Sequence, residues 1–161
     1  MIKDRTIEAF ESTVQASHEW VNEYAEHLGQ DHPPLAFRCL RAALHVIRDR
    51  LPIAEAAALA AQLPMLLRGA FYENWRPGHA PGRVHTADEV YELVARELAG
   101  GLGAPPRDVM RAAFTLLERR VDAGLLAKMR PILPEAVRTL WASATEPARA
   151  SAPIDGPSAT R

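Results

Sequence analysis

Cysteine is nearly missing: Cys39 is the one example in 161 residues. No intramolecular disulfide can form, and neither a CxxC pair nor a zinc-finger spacing exists. Lysine is almost as rare, with 2 Lys against 17 Arg. That skew reads as the mark of a GC-rich genome rather than of phosphate binding. Val, Ile and Thr are sparse, and no period-two alternating run predicts a strand. The most apolar stretch, AEAAALAAQLPMLLRGAF, is interrupted by Glu55, Gln62, Pro64 and Arg68, which excludes a membrane span. MIKDRTIEAFEST has no apolar signal core, so a soluble, cytoplasmic protein is expected. A net charge of −1 excludes a generally basic nucleic-acid binder. HExxH, GxSxG and a P-loop ending in GK[ST] are all absent. GGLGAPP is a helix break, not a phosphate cradle.

What is present is helix. The chain is 48% hydrophobic and 24% charged, suiting a globular body, and it is rich in Ala and Leu, both strong helix formers. A first helix is expected from Thr6 to Leu28. Its apolar stripe is Ile7, Phe10, Val14, Val21, Tyr24 and Leu28, with Ser17 filling the missing place. Gly29 suits its C-cap. A second helix presents Phe37, Leu40, Leu44, Ile47 and Leu51 on one face. A third runs from Pro52 to Leu63, and Pro64 forces a new start. The fourth is expected to reach Trp75. After the Pro/Gly-rich loop RPGHAPGRVH, Thr86 and Glu89 match a capping box that opens a fifth helix, ending near Leu98. A sixth covers Arg107 to Val121, Asp122 caps a seventh, and Pro134 opens an eighth that ends near Trp141. From Thr145 onward, TEPARASAPIDGPSATR is expected to be disordered.

The chain also repeats itself. Shifted by seventy residues, LRAALHVIRDRLPIAEAAALAAQLPMLLRGAF lies over MRAAFTLLERRVDAGLLAKMRPILPEAVRTLW without gaps. Arg41, Ala42 and Ala43 meet Arg111, Ala112 and Ala113; Arg50 meets Arg120; Leu63, Pro64 and Arg68 meet Leu133, Pro134 and Arg138. Charge repeats as well: residues 1–31 carry −5 and 32–84 carry +4, then 85–106 carry −3 and 107–138 carry +3. An acidic first helix followed by basic ones suggests self-complementation within the fold. The expectation is an all-α helical bundle, a tandem duplication of a roughly four-helix unit: repeat one over 1–76, a linker loop over 77–85, repeat two over 86–144 and a tail over 145–161. The two repeats are expected to share one core.

The stretch RAALHVIRDRLPIAEAAALAAQLPMLLRGAFYENW, with Arg41, His45, Arg48, Asp49, Arg50, Leu51, Pro52, Glu55, Gln62, Leu63, Pro64, Arg68, Gly69, Tyr72, Glu73 and Trp75, resembles the bacterial family called domain of unknown function 2267. AAQLPMLLRGAFYENW is its most specific part, and the similarity spans residues 6–142. The resemblance implies an all-helical cytoplasmic fold. It carries over no catalytic residue, because that family has no established activity.

Four chemistries compete for the polar residues. His45 and Asp49, four apart, are the best metal pair, with Glu23 and His27 next, but a transition-metal site needs three or four ligands, and neither pair forms the Glu-x-x-His motif of di-iron bundles. His79 and His85 lie on the loop. Cys39 sits among apolar positions, so a buried inert thiol is the better reading. IAEAAALAAQLPMLLRGAF superficially matches a helix-turn-helix, yet its turn is a single proline and Arg68 is the lone base reader. The fourth is an interaction surface at the end of the fourth helix, where aromatics and arginine gather. Phe71 aligns with Trp141 and belongs to the core, leaving Tyr72, Glu73, Trp75 and Arg76. The expected function is therefore a non-enzymatic protein-interaction or regulatory module, taking a protein partner or a second copy, without cofactor, nucleic acid or membrane. The alternative is a small-ligand or metal-binding protein with a site between the repeats or near His45. Scattered catalytic residues remain a third reading, since active sites are recognised by geometry.

Overall fold

Prolines, a glycine and two side-chain caps punctuate the chain into helices. The computed structural model describes residues 6–79, 81–99 and 103–147. It contains α1 (Glu8–Leu28), α2 (Pro33–Arg48), α3 (Ile53–Ala61), α4 (Met65–Tyr72), α5 (Ala87–Glu97), α6 (Pro106–Arg120), α7 (Ala123–Met129) and α8 (Glu135–Thr145), with a 3-10 turn at Arg130–Ile132. No strand occurs among the described residues, so the fold is all-α. Gly29 closes α1 at φ 72°: its N–H donates to Glu26 O, and that of Gln30 reaches back to Ala25 O. This Schellman arrangement uses a left-handed residue to satisfy carbonyls the helix leaves free. Asp122 caps α7 by accepting from Leu125 N at 2.9 Å. Thr86 caps α5 through Glu89 N at 3.2 Å, but the reciprocal half of the box differs, because the Glu89 carboxylate accepts from His85 N instead of Thr86 N.

The prolines at 64 and 134 do more than end a helix. Each stands as the N-cap of the next one, and an arginine four residues later turns back onto the carbonyls left behind. Arg68 donates to Ala60 O and Leu63 O, and Arg138 to Pro131 O. The seventy-residue offset recurs here and in the helix starts, at Ile53 and Ala123 and at Met65 and Glu135. It recurs in burial too: Phe71 and Trp141, Leu63 and Leu133, Leu44 and Phe114 are all buried.

Three helix boundaries differ from the periodic reading. α2 stops at Arg48, with Leu51 buried from the following turn. α4 stops at Tyr72, short of Trp75. α8 continues to Thr145, one residue into the segment expected to be disordered; residues 148–161 of that segment lie outside the described residues.

Packing is reciprocal between the halves. α2 and α6 meet at the centre; α1 packs on α2, α4 and α6, while α5 packs on α6, α8 and α2. Each first helix thus covers the other half's second helix as well as its own. Ala42, Ala43, Ala112 and Ala113 are buried on the central pair, and small side chains let helix axes approach closely. One cluster of buried residues runs from Trp20 to Trp141. Within it Trp141 stacks on Phe114 with ring centroids 4.7 Å apart, and its indole N–H donates to the Glu118 carboxylate at 2.7 Å. Tyr24 crosses between the halves to donate its hydroxyl to Val109 O at 3.0 Å.

Charge complementarity appears at the same seam. Glu23 of acidic α1 accepts from both Arg119 and Arg120 of α6. Burial alone would push its carboxyl up; the two arginine hydrogen bonds, the Arg120 charge and a contact from His27 outweigh it and hold the group below its ordinary value.

Trp141→Ala removes a fully buried indole and should cost about 3–5 kcal/mol, read from urea unfolding. Glu23→Gln should lower stability at neutral pH by about 1 kcal/mol. Because the folded carboxyl is depressed, the wild-type advantage is present above the ordinary carboxylate value of 4.5 and disappears as pH falls below it. Thermal melts of both proteins from neutral to acid pH measure that convergence.

Candidate functional site

The end of α4 is shaped by a side chain from α2. Arg48 is buried and sends Nη1 to Phe71 O at 2.6 Å and to Glu73 O at 2.7 Å, while Nε donates to Asp49 Oδ1 at 2.8 Å. It occupies the Phe71 carbonyl, which a continuing helix would have offered to Trp75 N, and the chain turns away, with Asn74 at φ 59°. This is why α4 ends at Tyr72. Tyr72 and Trp75 are half-buried against the core, their rings 5.2 Å apart, and Phe71 meets Tyr72 edge-on. Glu73 is exposed and pairs with Arg41 at 3.6 Å. Arg76 is exposed. The turn separates these residues: Glu73 borders an apolar groove, whereas Trp75 and Arg76 border a different cleft of mixed polar and apolar lining.

His45 and Asp49 are engaged apart from one another. His45 is buried, with Nε2 2.7 Å from Ala70 O and Nδ1 3.1 Å from the Glu97 carboxylate. Both ring nitrogens face oxygen atoms, so the imidazole ties α2 to α4 and α5. Asp49 holds Arg48. Glu23 and His27 lie 3.5 Å apart, with Glu23 already held by two arginines. Among the described residues no group of three or more His, Cys, Asp or Glu is placed to hold a metal ion. Cys39 is buried, and burial pushes its thiol up against the opposing pull of Arg38. No helix among the described residues is long and apolar enough to cross a membrane.

A groove that periodicity did not reveal lies between α1, the start of α2, and α4. It encloses about 440 Å³, and its walls include Val14, Val21, Phe37, Leu66 and Leu67. Leu66 N donates to Thr13 Oγ1 at 3.3 Å, which pins α4 beside α1 at its mouth. Above it, the α1 stripe leaves the core: Ile7 is 53% exposed, Phe10 58% and Val14 43%, and Leu66 across the groove is 53% exposed. These three α1 residues carry the same spacing as Val21 and Tyr24 farther along the helix. Spacing therefore places them on the core face, while the structure leaves them uncovered. α5 begins at Ala87, so no helical turns in the second half correspond to the first turns of α1. Ser17, at the groove floor, is buried, and its Oγ has no partner among the described residues.

The described residues form an all-helical fold with an apolar groove on its surface. The chain belongs to the family described as Uncharacterized conserved protein (DUF2267), whose model matches residues 17–140. Ile7, Phe10 and Val14 precede that span. Among curated proteins, none matches the chain.

Arg48→Met should strand the Phe71 and Glu73 carbonyls and cost about 1.5–3 kcal/mol, the range for hydrogen bonds to a charged group. Urea unfolding reads the loss, and hydrogen exchange should accelerate selectively at residues 72–76.

Proposed function

We propose that this protein is a non-enzymatic interaction module of the bacterial cytoplasm, whose groove between α1 and α4 receives an amphipathic helix of a partner protein. The observation that carries the reading is an apolar groove lined by the exposed side chains of Val14 and Leu66, with the exposed Phe10 and Ile7 continuing the Val14 stripe toward the start of α1. A single exposed leucine is ordinary, but a contiguous patch on a folded surface marks an interaction face. The α1 residues are spaced three and four apart, which is the pattern that meets the apolar stripe of a second helix. Ser17 Oγ offers that helix one hydrogen bond at the floor. The polar residues at the end of α4 contribute Glu73 to the rim; Tyr72 and Trp75 serve chiefly the core.

A photo-crosslinking residue placed at Phe10 or Leu66 in the native host should capture one protein that the same residue at Arg111 does not. The purified partner should then lose at least about tenfold in affinity for Leu66→Asp. Melting of that variant should change by no more than about 0.5 kcal/mol, because the site is exposed. Crosslinks to a second copy alone, with a dimer in sedimentation, would replace the partner by self-association. Equal capture at all three positions would remove the groove from the reading.

A further inference from the structure

The second cavity lies across the α4 turn from the groove. It encloses about 570 Å³ between the α2–α3 turn and residues 74–77, 79, 81 and 82. Its unusual feature is Arg50. This arginine is 9% exposed, its Nε is buried without a partner, and its guanidinium has no hydrogen bond or ion pair among the described residues. A buried cation without a counter-charge is costly, and arginine does not escape the cost by losing its proton.

The fold holds it there. Asp49 O accepts from Gly82 N at 2.7 Å, drawing the loop across the arginine. The guanidinium then lies so close to Gly82 that a Cβ at that position would stand 2.8 Å from Cζ and Nη1. Glycine is what lets the loop close on it.

The repeat supplies a control. Arg120, which aligns with it seventy residues on, stands at the end of α6 and is paired with Glu23. Arg50 lacks such a carboxylate. Asp49 lines the cleft, but its carboxylate is bound to Arg48. What remains facing the cavity is Arg50, Arg76 and His79, beside an apolar wall of Ile53 and Trp75. Burial lowers the Arg50 proton affinity from its ordinary value and Asp49 opposes that shift, as expected where an outside anion would complete the charge balance.

We infer that this cleft is a binding site for a small organic anion. Its phosphate or carboxylate group takes the forks of Arg50 and Arg76, and its apolar body rests on Ile53 and Trp75. Arginine's planar donors match both oxyanions in bidentate fashion, and the volume is that of a metabolite-sized pocket. The site is separate from the apolar groove.

The test is titration calorimetry on the full chain with inorganic phosphate, pyrophosphate and citrate, at constant ionic strength set with chloride. Saturable one-to-one binding is expected at concentrations up to about 10 mM. Phosphate or pyrophosphate alone identifies a phosphoryl ligand, and citrate alone a carboxylate. Arg50→Gln and Arg76→Gln should each weaken binding about tenfold or more, and Arg111→Gln should leave it unchanged. Gly82→Ala should weaken it too, by displacing the guanidinium. If Arg50→Gln fails to fold, the exposed Arg76 variant decides. No heat beyond the chloride control with any of the three anions would overturn the assignment, as would equal binding by wild type and Arg76→Gln.

Discussion

The contact between α2 and α6 is the constraint on which the rest of the structure depends. Its alanines bring the two helices together at the centre, and nearly every other helix is placed by reference to that pair. α1 lies over α6 and α5 over α2, so neither half closes its own core alone. A unit of about four short helices buries too little surface to be stable by itself. Reciprocal covering solves that problem by making one hydrophobic cluster out of two incomplete ones.

Centrality also explains the buried polar residues of α2. A helix surrounded on most sides has little solvent left for its charged positions, so His45 and Arg48 are enclosed together with Leu44, Val46 and Ile47, and Arg50 in the turn that follows is enclosed as well. The first two are satisfied by neighbours that come from other helices. His45 finds the Ala70 carbonyl and Glu97; Arg48 finds two carbonyls at the end of α4. These bonds set where α4 stops and how its loop leaves. Arg50, two residues on and past the end of α2, receives the loop but no acceptor among the described residues. The same packing logic therefore produces two structural anchors and one cation open to a ligand.

Legibility in the sequence followed the range of the interaction. Gly29, Asp122 and Thr86 act within a turn of themselves, so their roles as caps could be read directly, as could the new starts after Pro64 and Pro134. The stop of α4 could not, because it rests on Arg48, more than twenty residues upstream. The apolar stripe of α1 carried no mark that would separate Val14 from Val21: one is exposed and the other buried, although both obey the same periodicity. Periodicity shows that residues share a face. It does not show how far along the helix that face is covered.

By itself the sequence determined the all-helical class, most helix starts, the family and the seventy-residue pattern. All four depend on local propensity, capping chemistry or direct residue matching. Tertiary structure alone decided which parts of the apolar stripe remain uncovered and which arginine keeps a counter-charge. Arg50 and Arg120 align at the seventy-residue offset, yet Arg120 ends α6 and meets Glu23, whereas Arg50 lies in the turn past the end of α2. A residue's neighbours across the core are set by how helices cross, and that information is absent from spacing along the chain.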